Sequence, residues 1–179
     1  MLYLLRHAES SVSPDEPESD WPLSETGRNQ AQALVERLAG CRIDAIYSSP
    51  YRRAVATVRP LAADRDLPVH TDDRLREREL TDRWLDNHRE ALRRVWGDFD
   101  LVLPGGESSA ECQRRVGAAL QEVRARHGPD ERMLVSSHGN TIGLRLHGLA
   151  GSFGFEDWKE MGNPDLFAVD GDRWRHVEP

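Results

Sequence analysis

Short apolar runs recur along this chain, and stretches with helical spacing separate them. Leu2–Leu5, Ile43–Ser48 and Met133–Ser137 are too short for helices and read as buried strands. Between them, Ala31, Leu34, Val35 and Leu38 share one face of a helix that the sequence places over 24–38, with Ser24 as N-cap and Gly40 beyond its end. Ser49-Pro50 is expected to open the next helix, whose inner face is Ala54, Val55, Val58, Leu61 and Ala62. Further elements are expected at 67–70 (strand), 87–96 (helix), 108–127 (helix) and 141–149 (helix). The tail from Leu166 to Val177 alternates apolar and polar residues around Asp170-Gly171, a hairpin pattern. Strands that alternate with helices need crossover connections. The expected fold is therefore α/β: a single-domain three-layer sandwich over residues 1–179, with a mostly parallel central sheet flanked by helices and a C-terminal hairpin.

The polar residues sit at the ends of these strands. The first run closes in Arg6-His7-Ala8-Glu9, the second leads through Ser48-Ser49-Pro50 into Arg52-Arg53, and the run at 133–137 closes in Ser137-His138-Gly139. Ligands of open α/β sheets bind outside the carboxyl ends of the strands. Two histidines and two or three arginines therefore converge at one edge. Taken singly, each is more often a structural or solvated residue than a functional one. Together they suit phosphoryl transfer, which needs rigid positive donors around the charged phosphoryl oxygens. Arginine supplies bidentate donors, imidazole a nucleophile, a second protonated histidine extra charge, and a carboxylic acid the proton for the leaving alcohol.

Charge narrows the partners. The formal net charge is −7, which argues against a broad nucleic-acid surface, so any phosphate site must be a local arginine cluster. Cys41 and Cys112 form no CxxC pair, and no HExxH spacing occurs among the histidines, so neither a metal site nor a disulfide framework is expected. The N-terminal apolar run is too short for a signal peptide, and no stretch is long enough for a membrane helix. A cytoplasmic protein without membrane or nucleic-acid partners is the expectation, and oligomeric state is not legible.

Four segments carry a resemblance. Leu4-Leu5-Arg6-His7-Ala8-Glu9-Ser10, Pro22-Leu23-Ser24-Glu25-Thr26-Gly27, the segment from Ser48 to Thr57, and Val135-Ser136-Ser137-His138-Gly139 resemble, in order and spacing, the signature segments of the histidine phosphatase superfamily, the branch that includes cofactor-dependent phosphoglycerate mutases. The resemblance implies a phosphoglycerate mutase-like fold and a metal-independent phosphomonoester hydrolase with no cofactor, acting on a small phosphorylated substrate through a phosphohistidine. Position by position it implies His7 as nucleophile, Arg6 and Arg53 as phosphate ligands, and His138 as stabiliser of the transferring group. Arg74-Leu75-Arg76-Glu77-Arg78 resembles the family's donor segment and implies Glu77 as proton donor. Glu79, two residues on, points the same way in an extended segment, so the pair stays open.

Glu107-Ser108 after Gly105-Gly106 resembles a further family segment, with a supporting role. Ala8 departs from the usual glycine, and Thr81 from another. No asparagine follows the first histidine at the usual interval, which leaves Ser10, Ser11 or Ser13 to make polar contacts; Ser10 is the one assigned to substrate. His70, His88, His127, His147 and His176 match no family site. Trp84 and Trp96 lie in the irregular stretch that could cover the site and are candidates for substrate contact. Specificity is expected in 9–22 and 78–106. Two other activities fit the same residues: a phosphoglycerate mutase, whose family members are generally longer, and a phosphatase of phosphohistidine or phosphoproteins.

Overall fold

Leu2 and Leu4 of strand β1 (Leu2–Arg6) pack into one apolar cluster, Tyr3 and Leu5 into another. This alternation is that of a strand buried on both faces. It repeats in β4 (Met133–Ser137) and β5 (Asp165–Asp170), and with β2 (Ala45–Ser48), β3 (Val69–Thr71) and β6 (Arg173–Val177) these strands form one sheet. The computed structural model describes residues 1–150 and 153–177. The strand order is β3-β2-β4-β1-β5-β6. The first four in that order are parallel, whereas β5 runs antiparallel to β1 and forms the expected hairpin with β6.

Helices α1 (Glu25–Arg37) and α2 (Arg52–Asp64) cover one face through Leu34, Val58 and Leu61. Helices α4 (Ser109–Ala125) and α5 (Gly139–Ala150) cover the other through Val116, Leu120, Ile142 and Leu146. Helix α3 (His88–Gly97) packs Ala91, Leu92 and Val95 in a satellite cluster with Leu80, and the short α6 (Phe155–Glu160) precedes β5. The architecture is the α/β sandwich expected, with the C-terminal hairpin in place.

Several boundaries move for identifiable reasons. Helix α2 starts at Arg52 rather than at Ser49-Pro50, because the Ser49 amide still donates to the Ser136 carbonyl (2.9 Å) as an extension of the sheet. Helix α5 begins at Gly139, directly after the strand end, and β3 lies slightly later than expected, at Val69–Thr71. Helix α6 was not anticipated. Its six residues are too few for an apolar period to show.

Candidate active site

Register brings the two histidines together. Arg6 lies opposite Ser137 across the β1–β4 pair, so His7 and His138 leave adjacent strand ends, and the His7 amide donates to the Ser137 carbonyl at 3.0 Å. Their ring centroids are 5.1 Å apart. Strand β2 pairs with β4 on its other side, which puts the Ser49 hydroxyl 2.8 Å from His138 Nε2. His138 Nδ1 is buried and has no hydrogen-bond partner among the described residues.

The tautomer of His7 follows from its neighbours. Its Nδ1 lies 2.7 Å from the Ala8 carbonyl oxygen, which can only accept, so Nδ1 carries the proton. Nε2 keeps its lone pair and accepts from Arg53 Nε at 3.1 Å. Burial, reinforced by the Arg53 and Arg6 charges, pushes the His7 pKa down to about 3. Burial and the same arginines, with His7 itself, also hold His138 well below the usual histidine range. Both shifts favour the neutral imidazoles, and the Arg53 and Arg6 guanidinium groups oppose a positive charge on His138.

Around the pair, each polar contact ties one strand end to another. The Thr57 hydroxyl accepts from the Ala8 amide (2.9 Å) and donates to the Arg53 carbonyl (2.7 Å). Ala8 is fully buried against Leu23 and Ala31, so its methyl group is accommodated where a glycine is usual. Arg6 donates to the Met161 carbonyl (2.7 Å) and lies over the start of α5, where a Cβ at Gly139 would come within 3.2 Å of the guanidinium. Asn163, which the sequence reading missed, donates from Nδ2 to the His7 carbonyl (2.7 Å). Only its polar type in the turn before β5 could have signalled it.

Arg53 is 2% exposed and lies beside the Trp21 and Tyr51 rings, its Cζ 5.5 Å and 5.1 Å from their centroids. Trp21 belongs to the 9–22 segment, which folds over this arginine. Within it a 3-10 turn, Glu18–Asp20, sets the Glu18 carbonyl and the Glu18 carboxylate each 2.6 Å from Arg53. Burial pushes the Glu18 carboxyl above its ordinary value and Glu77 and Glu79 push the same way, against Arg53; the side chain is 42% exposed, so solvent moderates the effect. Arg52 donates to the Asp20 carbonyl at 3.5 Å.

The two candidate donors separate. Glu77 turns to the start of α5: Oε1 accepts from the Thr141 amide and hydroxyl (both 3.1 Å) and Oε2 from the Asn140 amide (3.3 Å). Glu79 is exposed, and its carbonyl accepts from the Glu107 amide (2.8 Å). The segment is clamped from behind. Arg115 pairs with Glu107 and donates to the Arg74 and Arg76 carbonyls (2.6 and 3.2 Å), while Arg78 donates to the Glu107 carbonyl.

Other assignments fare differently. Ser10 is fixed by a backbone bridge to Leu23. Trp96 is core, not pocket wall: it is 8% exposed, and its indole donates to Asn140 (3.1 Å). Trp84 is 58% exposed. His127, His147 and His176 bond to Tyr47, the Phe153 carbonyl and Asp165. Among the described residues no group of three or more His, Cys, Asp or Glu is placed to hold a metal ion, and no helix is long and apolar enough to cross a membrane.

A buried histidine pair between two arginines at the carboxyl ends of parallel strands defines a phosphate-handling α/β enzyme. The chain belongs to the histidine phosphatase superfamily (branch 1), whose family model matches residues 2–170, and it is a phosphatase of that superfamily. It is 35% identical over 155 residues to "Phosphoserine phosphatase 1" of Hydrogenobacter thermophilus (80% of this chain, 72% of the relative). It is 34% identical over 163 residues to "Probable phosphoglycerate mutase GpmB" of Proteus mirabilis (84% and 74%). The fold is similar to the native structure of mycobacterial glucosyl-3-phosphoglycerate phosphatase, with a TM-score of 0.78 at 28% identity over 98% of this chain and 95% of that one. A structure of the same enzyme with inorganic phosphate matches at 0.76 and 27% identity over 99% and 95%.

Proposed function

We propose that this phosphatase hydrolyses small phosphomonoesters through a phosphohistidine at His7, without a metal ion. The observation that carries the reading is the His7 ring: Nδ1 is tied to the Ala8 carbonyl, and the unprotonated Nε2 accepts from Arg53. A nucleophilic imidazole must be neutral, and its depressed pKa keeps it so at physiological pH.

In the first step the Nε2 lone pair attacks phosphorus, the ester P–O bond breaks, and the leaving oxygen takes a proton from Glu77. Arg6, Arg53 and His138 Nδ1 stabilise the nonbridging oxygens. In the second step Glu77 takes a proton from a water molecule, the water oxygen attacks phosphorus, the P–N bond breaks, and inorganic phosphate leaves. Each developing charge meets a side chain of the chain itself. The α5 amides hold the Glu77 carboxyl group in place.

A small substrate is favoured because the 9–22 segment, with Trp21, closes over Arg53 and narrows the approach. The names of the relatives, a phosphoserine phosphatase and a glucosyl-3-phosphoglycerate phosphatase, support a phosphorylated metabolite. The test is hydrolysis of 4-nitrophenyl phosphate in excess chelator, wild type beside His7→Ala, with acid-resistant and acid-labile phosphate on the protein measured after a quench. Chelator-insensitive turnover, lost in the variant together with acid-labile label, is expected. Wild-type turnover in His7→Ala would exclude the histidine mechanism. Phosphate moving between the 2- and 3-positions of phosphoglycerate, faster than it is released to water, would make the enzyme a mutase.

A further inference from the structure

We propose that Glu18 competes with the phosphoryl group for Arg53 and so weakens the hold of this site on phosphate. The inference rests on the reading that His7 and Arg53 handle phosphate.

The guanidinium is planar and carries five N–H donors, one on Nε and two on each Nη, in a fixed fork that grips the oxygens of a phosphate or carboxylate. In this structure Nε donates to His7 Nε2 (3.1 Å) and Nη2 donates to Glu18 Oε1 (2.6 Å). The nucleophilic nitrogen and the Glu18 carboxylate are therefore bound by one and the same guanidinium. A phosphoryl group on that nitrogen needs guanidinium donors for its nonbridging oxygens, and the Glu18 carboxylate already holds one of them through a charge-assisted bond.

Arg53 cannot swing aside to serve both. It is 2% exposed, flanked by Trp21 and Tyr51, and its Nη1 is held by the Glu18 carbonyl at 2.6 Å. The backbone bond fixes the 3-10 turn against Arg53, while the carboxylate beyond it is free to leave, being 42% exposed. The carbonyl thus anchors the segment and the carboxylate competes with the substrate. The same competition acts on the product. It limits how tightly inorganic phosphate stays after hydrolysis and favours release.

The experiment is calorimetric titration of inorganic phosphate into wild type, Glu18→Gln and Glu18→Ala, with inhibition by phosphate and the KM and kcat for 4-nitrophenyl phosphate measured beside it. Removing the charge is expected to tighten phosphate binding by on the order of tenfold in both variants. KM is expected to fall in parallel. An anchor that merely seats Arg53 moves these constants the other way. Phosphate affinity unchanged or weakened in both variants, with phosphate bound and ester hydrolysed by the wild type, would overturn the role of Glu18 alone. No phosphate binding by any of the three proteins would overturn it together with the function proposed above.

Discussion

The Thr57 hydroxyl accepts the amide proton of Ala8 at 2.9 Å, and through its own proton it bonds the Arg53 carbonyl at 2.7 Å. One side chain thereby ties the backbone just beyond His7 to the helix turn that carries Arg53. Thr57 is fully buried, so no water can replace it. Thr57→Val keeps the shape and leaves the Ala8 amide without a partner. The expected loss of stability is about 1–3 kcal/mol, seen as a lower denaturant midpoint. Thr57→Ser is expected to recover most of it.

Glu77 and Glu79 are expected to differ in a way that depends on the leaving group. A proton donor matters most when the departing alcohol is a poor leaving group. For an alkyl phosphate, Glu77→Gln is expected to lower kcat by roughly 10²–10⁴-fold, and by much less for 4-nitrophenyl phosphate. Glu79→Gln is expected to leave this leaving-group dependence at the wild-type value. A steeper dependence in Glu79→Gln than in Glu77→Gln would reverse the assignment.

How far the sequence could be read follows from which contacts are local. The strand ends were legible because a short apolar run closing on Arg6-His7 or Ser137-His138 has few alternatives in an α/β chain. The different surroundings of Glu77 and Glu79 were not, because the Asn140 and Thr141 amides that meet Glu77 lie more than sixty residues away in sequence. Asn163 was hidden for the same reason, since its partner is the His7 carbonyl. Glu18 sits in an acidic, proline-containing segment whose pattern reads as solvated loop; only the fold places it on Arg53. Trp96 ends the expected 87–96 helix and was still open to substrate contact, because the partner of its indole, Asn140, lies more than forty residues away in sequence.

The depressed pKa of His7 has a measurable consequence for stability. The unfolded chain takes up a proton on this imidazole near its ordinary value of 6.5, and the folded chain resists doing so down to about 3. Between these limits the unfolded state binds more protons, so stability falls as the pH drops through that window. His138 acts in the same direction. On going from pH 7.5 to pH 5 the wild type is expected to lose more stability to denaturant than His7→Ala does. Equal losses would mean that His7 titrates as an ordinary exposed histidine.

Gly27 tests why helix α1 meets the segment after the nucleophile where it does. The Ser24 hydroxyl accepts from the Gly27 amide (2.9 Å) as the N-cap, and the Ser24 amide donates to the Glu9 carbonyl (3.0 Å), so the first turn of the helix is pulled onto Glu9. A Cβ on Gly27 would lie 1.9 Å from the Glu9 carbonyl oxygen, a backbone atom with no flexible end to give way. Alanine is the better helix former by about 1 kcal/mol, so propensity alone would make Gly27→Ala stabilising. The overlap opposes it, because either α1 or residues 8–10 must shift and the Ser24–Glu9 bond is lost. A net loss of about 1–3 kcal/mol is expected. Gly40→Ala is the control, since nothing lies within 4 Å of a Cβ there, and it is expected to stay within about 0.5 kcal/mol of wild type. If Gly27→Ala melts no lower than Gly40→Ala, the close approach of α1 to Glu9 does not hold this strand end in place.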